Sequence, residues 1–507
     1  MENNQNNIGY FPQSCVSEGT FFAEVNSEYS LPDYKSEIRR LLSSSASLVP
    51  KSDFLGNAEA CSEGEIIYKL VYIGSDGGLY CATLTDKYRV DIPIKLDSHS
   101  LNADDLTLFA DCNCDSMSVR VLGPRKVSVR SKIVCRALSL SPALYSPTIT
   151  GDKNGRAIEK KIESVPSISA RKYESEPIIL NEVVPLDAQA EDFRLICSHS
   201  SVAIGECTHT EDAVNVRGDV IVKLLYCNDT ESDKALTMTK KLPFNTSIAG
   251  GGHMDCSAYG IITDENITVG DNGIEMEIEL LLHALTQENV PISYIADAYS
   301  TEQKTECTYT EIPVMQALKC FNSSLTQNNI VPLSEQKIDQ NATIVDCTAN
   351  AKISELTMEN GKLALLGECV YHLIFADGAE YHSREITLPF KYDLDMRDTP
   401  KDNTLAHWNA HTSVSNSRAK SDGERIFLDC ELGFCFFIQS MQSVQVLDTL
   451  ALGDALEKDD GVLTFCYPDA HADLWDVAKR YGEPVDKLKT QNGLSSEDIS
   501  GKRFIII

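Results

Sequence analysis

The sequence predicts a mainly β protein, built as three repeated sandwich or barrel-like units followed by a small α+β (βααβ) module. Three observations predict it. One stretch occurs three times, as Gly64 to Tyr72, Gly218 to Tyr226 and Gly367 to Phe375. Alternate positions of each copy form a single apolar face: Ile66, Tyr68, Leu70, Tyr72; Val220, Val222, Leu224, Tyr226; Cys369, Tyr371, Leu373, Phe375. That period of two is the periodicity of a strand. The glycines lie about 150 residues apart, a domain length rather than a solenoid turn, so each copy can bury its own core. Beyond residue 461 the apolar spacing turns helical.

Along the chain, residues 1–24 are polar, rich in Asn and Gln, and read as a tail. Unit one is assigned to residues 25–145, unit two to 176–290 and unit three to 326–445, with Ser- and Pro-containing connectors at 146–175 and 291–325. Leu31-Pro32, Val184-Pro185 and Val331-Pro332 precede the repeated glycine at nearly constant distance. The apolar residues between (Ile38, Leu41 and Leu42; Phe193, Leu195 and Ile196; Ile338 and Ile344) fit either a short helix or a strand. The repeated strand carries Lys69, Lys223 or His372 on its second face, which is therefore only partly buried. A turn follows, Gly74 to Gly78, Asn228 to Thr230 or Asp377-Gly378, and signals a hairpin. The return strand is expected to end at Ile92-Pro93-Ile94, Leu242-Pro243-Phe244 and Leu388-Pro389-Phe390, since proline donates nothing to a ladder. Each unit closes with an alternating strand, Val127 to Leu138, Ile274 to Leu282 or Ile426 to Phe436.

An acidic linker, residues 453–461, leads to the C-terminal module at 461–507. A short strand (Leu463, Phe465) is followed by Leu474, Trp475, Val477, Ala478 and Tyr481 at helical spacing, a second helix from Val485 to Gln491, and a strand-like Phe504 to Ile507. Asp473 stands one residue before the first apolar helical position and is the expected N-cap.

Composition excludes several function classes. The formal charge of −30 argues against nucleic-acid binding and against a polybasic membrane contact. No run of about 20 apolar residues is present, so no transmembrane segment is expected. The Met1 to Gln5 stretch lacks a signal-peptide pattern, which points to a cytosolic home. The 17 cysteines occupy apolar strand positions without a CxxC pair and read as reduced core thiols. Cys112-Asn113-Cys114 offers half a metal site with no second half, and His407 and His411 lie in a stretch whose copies read as strand or loop. No metal, cofactor or catalytic residue is therefore assigned, and no enzyme activity is expected.

The tail from 461 resembles a LysM domain through Asp473 to Tyr481, Asn492-Gly493-Leu494 and Ser500-Gly501-Lys502. The three large units resemble SPOCS domains of spore coats through the Gly-acid-strand-aromatic pattern and the Leu-Pro-Phe return strand. Three such units before a LysM domain are similar to SipL-like spore-coat morphogenesis proteins. The resemblance implies a structural adaptor that docks a SpoIVA-like coat ATPase through LysM. It also implies a place in the mother-cell cytoplasm, at the forespore surface or in the spore coat. The alternative it implies is a peptidoglycan- or cortex-binding protein whose LysM module holds N-acetylglucosamine polymers. In LysM domains the binding loops flank the first helix and follow the second, here Ala470, His471, Asp473, Leu494, Ser495 and Ser500. Glycan-binding members carry Gly-Asp-Thr where this chain has His471-Ala472-Asp473, and Pro-Gly-Gln where it has Ser500-Gly501-Lys502. A histidine for glycine restricts that loop, which favours a protein partner over a sugar.

Overall fold

The computed structural model describes residues 8–55, 59–95, 106–151, 157–185, 193–228, 235–250, 255–270, 273–359, 362–378, 380–395, 404–457, 464–467, 473–499 and 505–507. It is mainly β. Unit one contributes β1 (Tyr10–Ser30), β2 (Ile38–Leu55), β3 (Glu59–Gly74), β4 (Leu79–Pro93), β5 (Thr107–Gly123) and β6 (Lys126–Leu144). A short β7 (Thr148–Thr150) precedes unit two, which has β8 (Ile158–Glu174), β9 (Ile178–Val184), β10 (Phe193–His209), β11 (Ala213–Asn228), β12 (Ala235–Ala249), β13 (Asp255–Gly270) and β14 (Gly273–Ser300). Unit three has β15 (Gln303–Pro332), a single helical turn α1 (Leu333–Gln336), β16 (Thr343–Glu359), β17 (Lys362–Asp377), β18 (Glu380–Asp395), β19 (Thr404–Ser421) and β20 (Arg425–Ala455). The chain ends with β21 (Phe465–Cys466), α2 (Leu474–Tyr481), α3 (Val485–Asn492) and β22 (Ile505–Ile506), the two short strands pairing antiparallel.

Each unit is two antiparallel sheets face to face. The first sheet is β2-β3-β4, β10-β11-β12 or β16-β17-β18; the second is β1-β6-β5, β13-β14-β8 or β15-β20-β19, with β9 also on β14 and β7 parallel to β20. The repeated strand is the central strand of its sheet in all three units. Its apolar face fills the core: Leu70, Leu224 and Leu373 are buried among the facing sheet's Val127, Ile274 and Ile426 and their neighbours. The repeated glycine has a steric origin. A Cβ on Gly64, Gly218 or Gly367 would lie 2.3, 2.3 or 2.5 Å from the carbonyl oxygen of Val49, Ala203 or Lys352, and against the ring of Tyr88, Phe244 or Phe390. The neighbouring strand is bulged at that point in each unit, and the aromatic ring covers the bare backbone.

Several sequence expectations are corrected. Most of the polar tail is β1, whose ladder with β6 runs from Tyr10 to Ser30. Both connectors are also largely strand, as β7 and β8 in one case, and the end of β14 with most of β15 in the other. These segments hold one structural place: β1, β8 with β9, and β15 each flank the closing strand of their unit and lead into Leu31-Pro32, Val184-Pro185 and Val331-Pro332. Unit three does not stop near 445, because β20 stays paired with β15 as far as Ala455, inside the expected linker. The undecided segment after the proline is strand in β2, β10 and β16, apart from Ile338, which follows α1. Pro243 and Pro389 face Asp219 and Glu368, the acids after the glycine, whereas Pro93 faces Glu59; Tyr88 is the counterpart of Phe244 and Phe390.

The units close into a ring. The third strand of each first sheet packs on the first strand of the next: β4 on β10, β12 on β16, and β18 on β2. The long closing strands then run out of their units and pack together around Phe11, Tyr145, Val165, Tyr294, Ile312 and Val446. Among the described residues no helix is long and apolar enough to cross a membrane.

Candidate functional site

Of the loop residues expected to bind, Ala470, His471 and Ser500 lie outside the described residues. Asp473 accepts a hydrogen bond from Trp475 N at 3.4 Å and so caps α2; Gly482 closes the helix at φ 63°. The structure brings the two expected loops together, since Asp473 bridges to Asp498 and Leu474 N donates to Glu497 O at 2.9 Å. Leu494 turns partly into the small core with Trp475, Leu488 and Ile499, while Ser495 is exposed. The Asp473 carboxylate is already engaged a second time, by Lys161 of β8 at 3.1 Å.

That contact belongs to an interface the sequence did not disclose. Asp297, on the extension of β14, receives Lys479 Nζ at 2.7 and 2.8 Å, Trp475 Nε1 at 2.8 Å and Tyr309 Oη at 2.8 Å. Burial pushes the Asp297 carboxyl up, but these hydrogen bonds outweigh it and hold it below the usual carboxylate range. Tyr299 packs edge-on against Trp475 at 5.0 Å and donates to the Glu483 carbonyl at 2.7 Å. The C-terminal module is thus seated on β8, β14 and β15 by its first helix.

A second constellation forms where the units meet. Asp111, Tyr259 and His411 hold equivalent positions in β5, β13 and β19, paired with Arg136, His283 and Cys435 equally far along the closing strands. They converge: His411 Nδ1 donates to Asp111 Oδ1 at 2.7 Å and its ring stacks on Tyr259 at 4.4 Å. Tyr259 also stacks on His283, 4.9 Å away, whose ring nitrogens have no hydrogen-bond partner among the described residues. Burial, reinforced by the charges of Lys172 and His411, pushes His283 down to about 3, so it is neutral at pH 7. Asp111 is pulled the other way; burial is outweighed by His411, Arg136 and Asn113, and its carboxyl stays ionised. His411, set aside in the sequence with His407, therefore sits at a junction of all three units, while His407 is buried with Nδ1 3.9 Å from Glu18.

Beside this trio opens a cavity of about 590 Å³ lined by all three units. Its position follows from the second face of the repeated strand. Lys69 crosses to unit two, reaching Ser198 O at 2.7 Å and Glu265 at 3.1 Å; Lys223 crosses to unit three, reaching Asp346 and the Cys347 carbonyl at 2.6 Å each. The third position is His372, too short to repeat that reach, and it lines the cavity. Charges in the lining are matched in place: Lys172 with Asp53 at 3.3 Å, Lys352 with Asp115 at 2.6 Å, His411 with Asp111. Cys112 and Cys114 line it too, and no group of three or more metal-ligating side chains occurs among the described residues. Extending the repeat alignment one strand back from Val127, Ile274 and Ile426 would have found the trio; nothing in the sequence pointed to Asp297. No protein-family model matches this chain, and no curated protein or solved structure matches it.

Proposed function

We propose that this chain is a non-catalytic structural adaptor of spore-coat assembly, with three SPOCS-type units as its scaffold and a LysM-type module at its C-terminus. The module docks a SpoIVA-like coat ATPase at the forespore surface, in the mother-cell cytoplasm. One observation carries the reading: the module is fixed on the three-unit body through Trp475, Lys479 and Asp473, which leaves its remaining surface as a presented face. The same contact weighs against the glycan reading. Asp473 lies in the expected sugar loop, yet its carboxylate is bonded to its own helix and to Lys161, so it is a poor acceptor for sugar hydroxyls. Pull-down of the SpoIVA-like partner with the full chain, and with a chain ending at residue 460, tests the proposal. Capture that requires residues 461–507 supports it. Micromolar binding of chito-oligosaccharides by the full chain, with no capture of the protein, overturns it in favour of a cortex or peptidoglycan ligand.

A further inference from the structure

The three junctions of the ring are equivalent, so the residue at a given place in each can be compared. On β4, β12 and β18 the residues paired with Val71, Leu225 and Ile374 are Cys81, Thr237 and Ser383. On β2, β10 and β16 the residues paired with the same three are Ser43, Cys197 and Asp346. Following the ring, the positions that correspond across the junctions are Cys81 with Cys197, Thr237 with Asp346, and Ser383 with Ser43. The second junction is held by the Lys223–Asp346 ion pair. At the first, Cys81 Sγ lies 3.2 Å from Cys197 Sγ, and His199 Nε2 is 3.7 Å from Cys197 Sγ. Both thiols are free; Cys81 is half-buried and Cys197 buried. Other thiol pairs among the described residues, Cys207 with Cys256 and Cys369 with Cys430 at 3.6 Å and the cross-strand pair Cys112 with Cys135, each lie within one unit.

We propose that Cys81 and Cys197 are a modification site, at which exchange with a low-molecular-weight disulfide forms an intramolecular disulfide that joins unit one to unit two. Cys81 is the attacking group. It is the more exposed of the two, and its hydrogen-bonded contact with Cys197 lowers its pKa below the ordinary thiol value, helped by Lys69 and Lys35 against the opposing effect of burial. Its thiolate attacks one sulfur of RSSR, forming Cys81–S–SR and expelling RS⁻. Cys197 then gives up its proton and attacks the Cys81 sulfur, and the second RS⁻ leaves. The two thiol protons end on two RSH, and the two electrons lost by the cysteine sulfurs reduce RSSR, so nothing else is consumed.

The test exposes the full-length reduced protein to oxidised glutathione, blocks remaining thiols with N-ethylmaleimide and maps peptides by mass spectrometry. A linked Cys81–Cys197 peptide that dithiothreitol removes is expected. Oxidation should also raise Tm, and Cys81→Ser, a change at a half-buried position, should abolish both the linked peptide and that part of the rise. If Cys81 and Cys197 are both recovered separately alkylated from natively folded protein, whatever the other thiols do, the proposal is overturned. A linked peptide that persists unchanged after dithiothreitol in native buffer would refute exchange chemistry at this site as well.

Discussion

Replacing Asp297 by alanine should release the C-terminal module from the body without unfolding either. The carboxylate holds together three donors, the Lys479 ammonium, the Trp475 indole N–H and the Tyr309 hydroxyl, all within 2.8 Å. Trp475 is 4% exposed, so its indole N–H would be left without a partner in a dry contact. An unsatisfied buried donor costs about 1–3 kcal/mol, and the half-exposed ammonium adds less because water reaches it. A docking loss of about 2–4 kcal/mol follows, roughly a 30- to 1,000-fold rise in the undocked fraction. Asp297→Asn keeps an acceptor but loses the charge, and should fall between. Trp408 and Trp475 are the chain's two tryptophans, so a Trp408→Phe background makes emission report on Trp475 alone. Undocking should red-shift that emission and speed amide exchange across Leu474–Tyr481 while β14 stays protected. Because the Asp297 pKa is lowered on folding, its contribution is present above about 4 and lost as pH falls through the folded value. Unchanged emission and exchange in Asp297→Ala would refute the docking argument.

Four further outcomes are expected. Gly218→Ala drives a Cβ to 2.3 Å from the Ala203 carbonyl and 2.7 Å from the Phe244 ring, and should destabilise by about 1–3 kcal/mol; a Tm equal to that of wild type counts against the shared steric role of the three glycines. Leu224→Ala, at a fully buried core position, should cost about 2–5 kcal/mol, read from urea unfolding beside the Glu277→Ala surface control. Lys223→Met leaves the buried Asp346 carboxylate unmatched at the second junction and should cost about 3–5 kcal/mol, which Asp346→Asn in the same chain should partly restore; no restoration would break the pairing argument. Burial lowers His283 to about 3 in the folded chain against about 6.5 unfolded, so it withholds a proton that the unfolded chain binds, and stability should be lost by up to about 1.4 kcal/mol for each pH unit that pH drops from about 6.5 towards 3. His283→Leu should flatten that part of the pH profile, and parallel profiles would refute it.

What the sequence disclosed and what it hid divide along one physical line. A central strand buries a whole face, so Ile66 to Tyr72 and its copies announce themselves by period two, and the glycine just before each is forced by a carbonyl and a ring. A flanking strand buries little. Through the latter half of β1, exposed and half-buried residues alternate, and its partner β6 lies about a hundred residues away, so local composition reads as a tail. In β8 the signal is worse: Pro166 faces Pro291 of β14, two residues without an N–H opposite each other, where a ladder needs no donor and a sequence reading sees a loop. The helix cap at Asp473 was legible because capping is local. The docking of that helix was not, because Asp297 is an ordinary acid in an ordinary strand until Lys479 and Trp475 arrive from a distant part of the chain.

The trio of Asp111, Tyr259 and His411 explains what is gained by holding three copies of one unit in a single chain. Were the ring made of three identical subunits, the converging position would carry the same residue three times. Three aspartates would repel one another out of reach of solvent, and three histidines would lack the carboxylate that fixes the imidazole tautomer. In one chain each copy diverges separately, so a carboxylate can meet an imidazole at 2.7 Å with a phenol ring stacked upon it. The same freedom lets each junction be secured by its own chemistry. Lys223 reaches Asp346, Cys81 meets Cys197, and the shorter His372 leaves the place where the cavity opens. A substitution at one junction should therefore act on that junction alone. Lys223→Met should speed amide exchange in β12 and β16 and leave β4 and β10 at wild-type rates, and uniform loosening of all three junctions would show instead that the ring stands or falls as one cooperative unit.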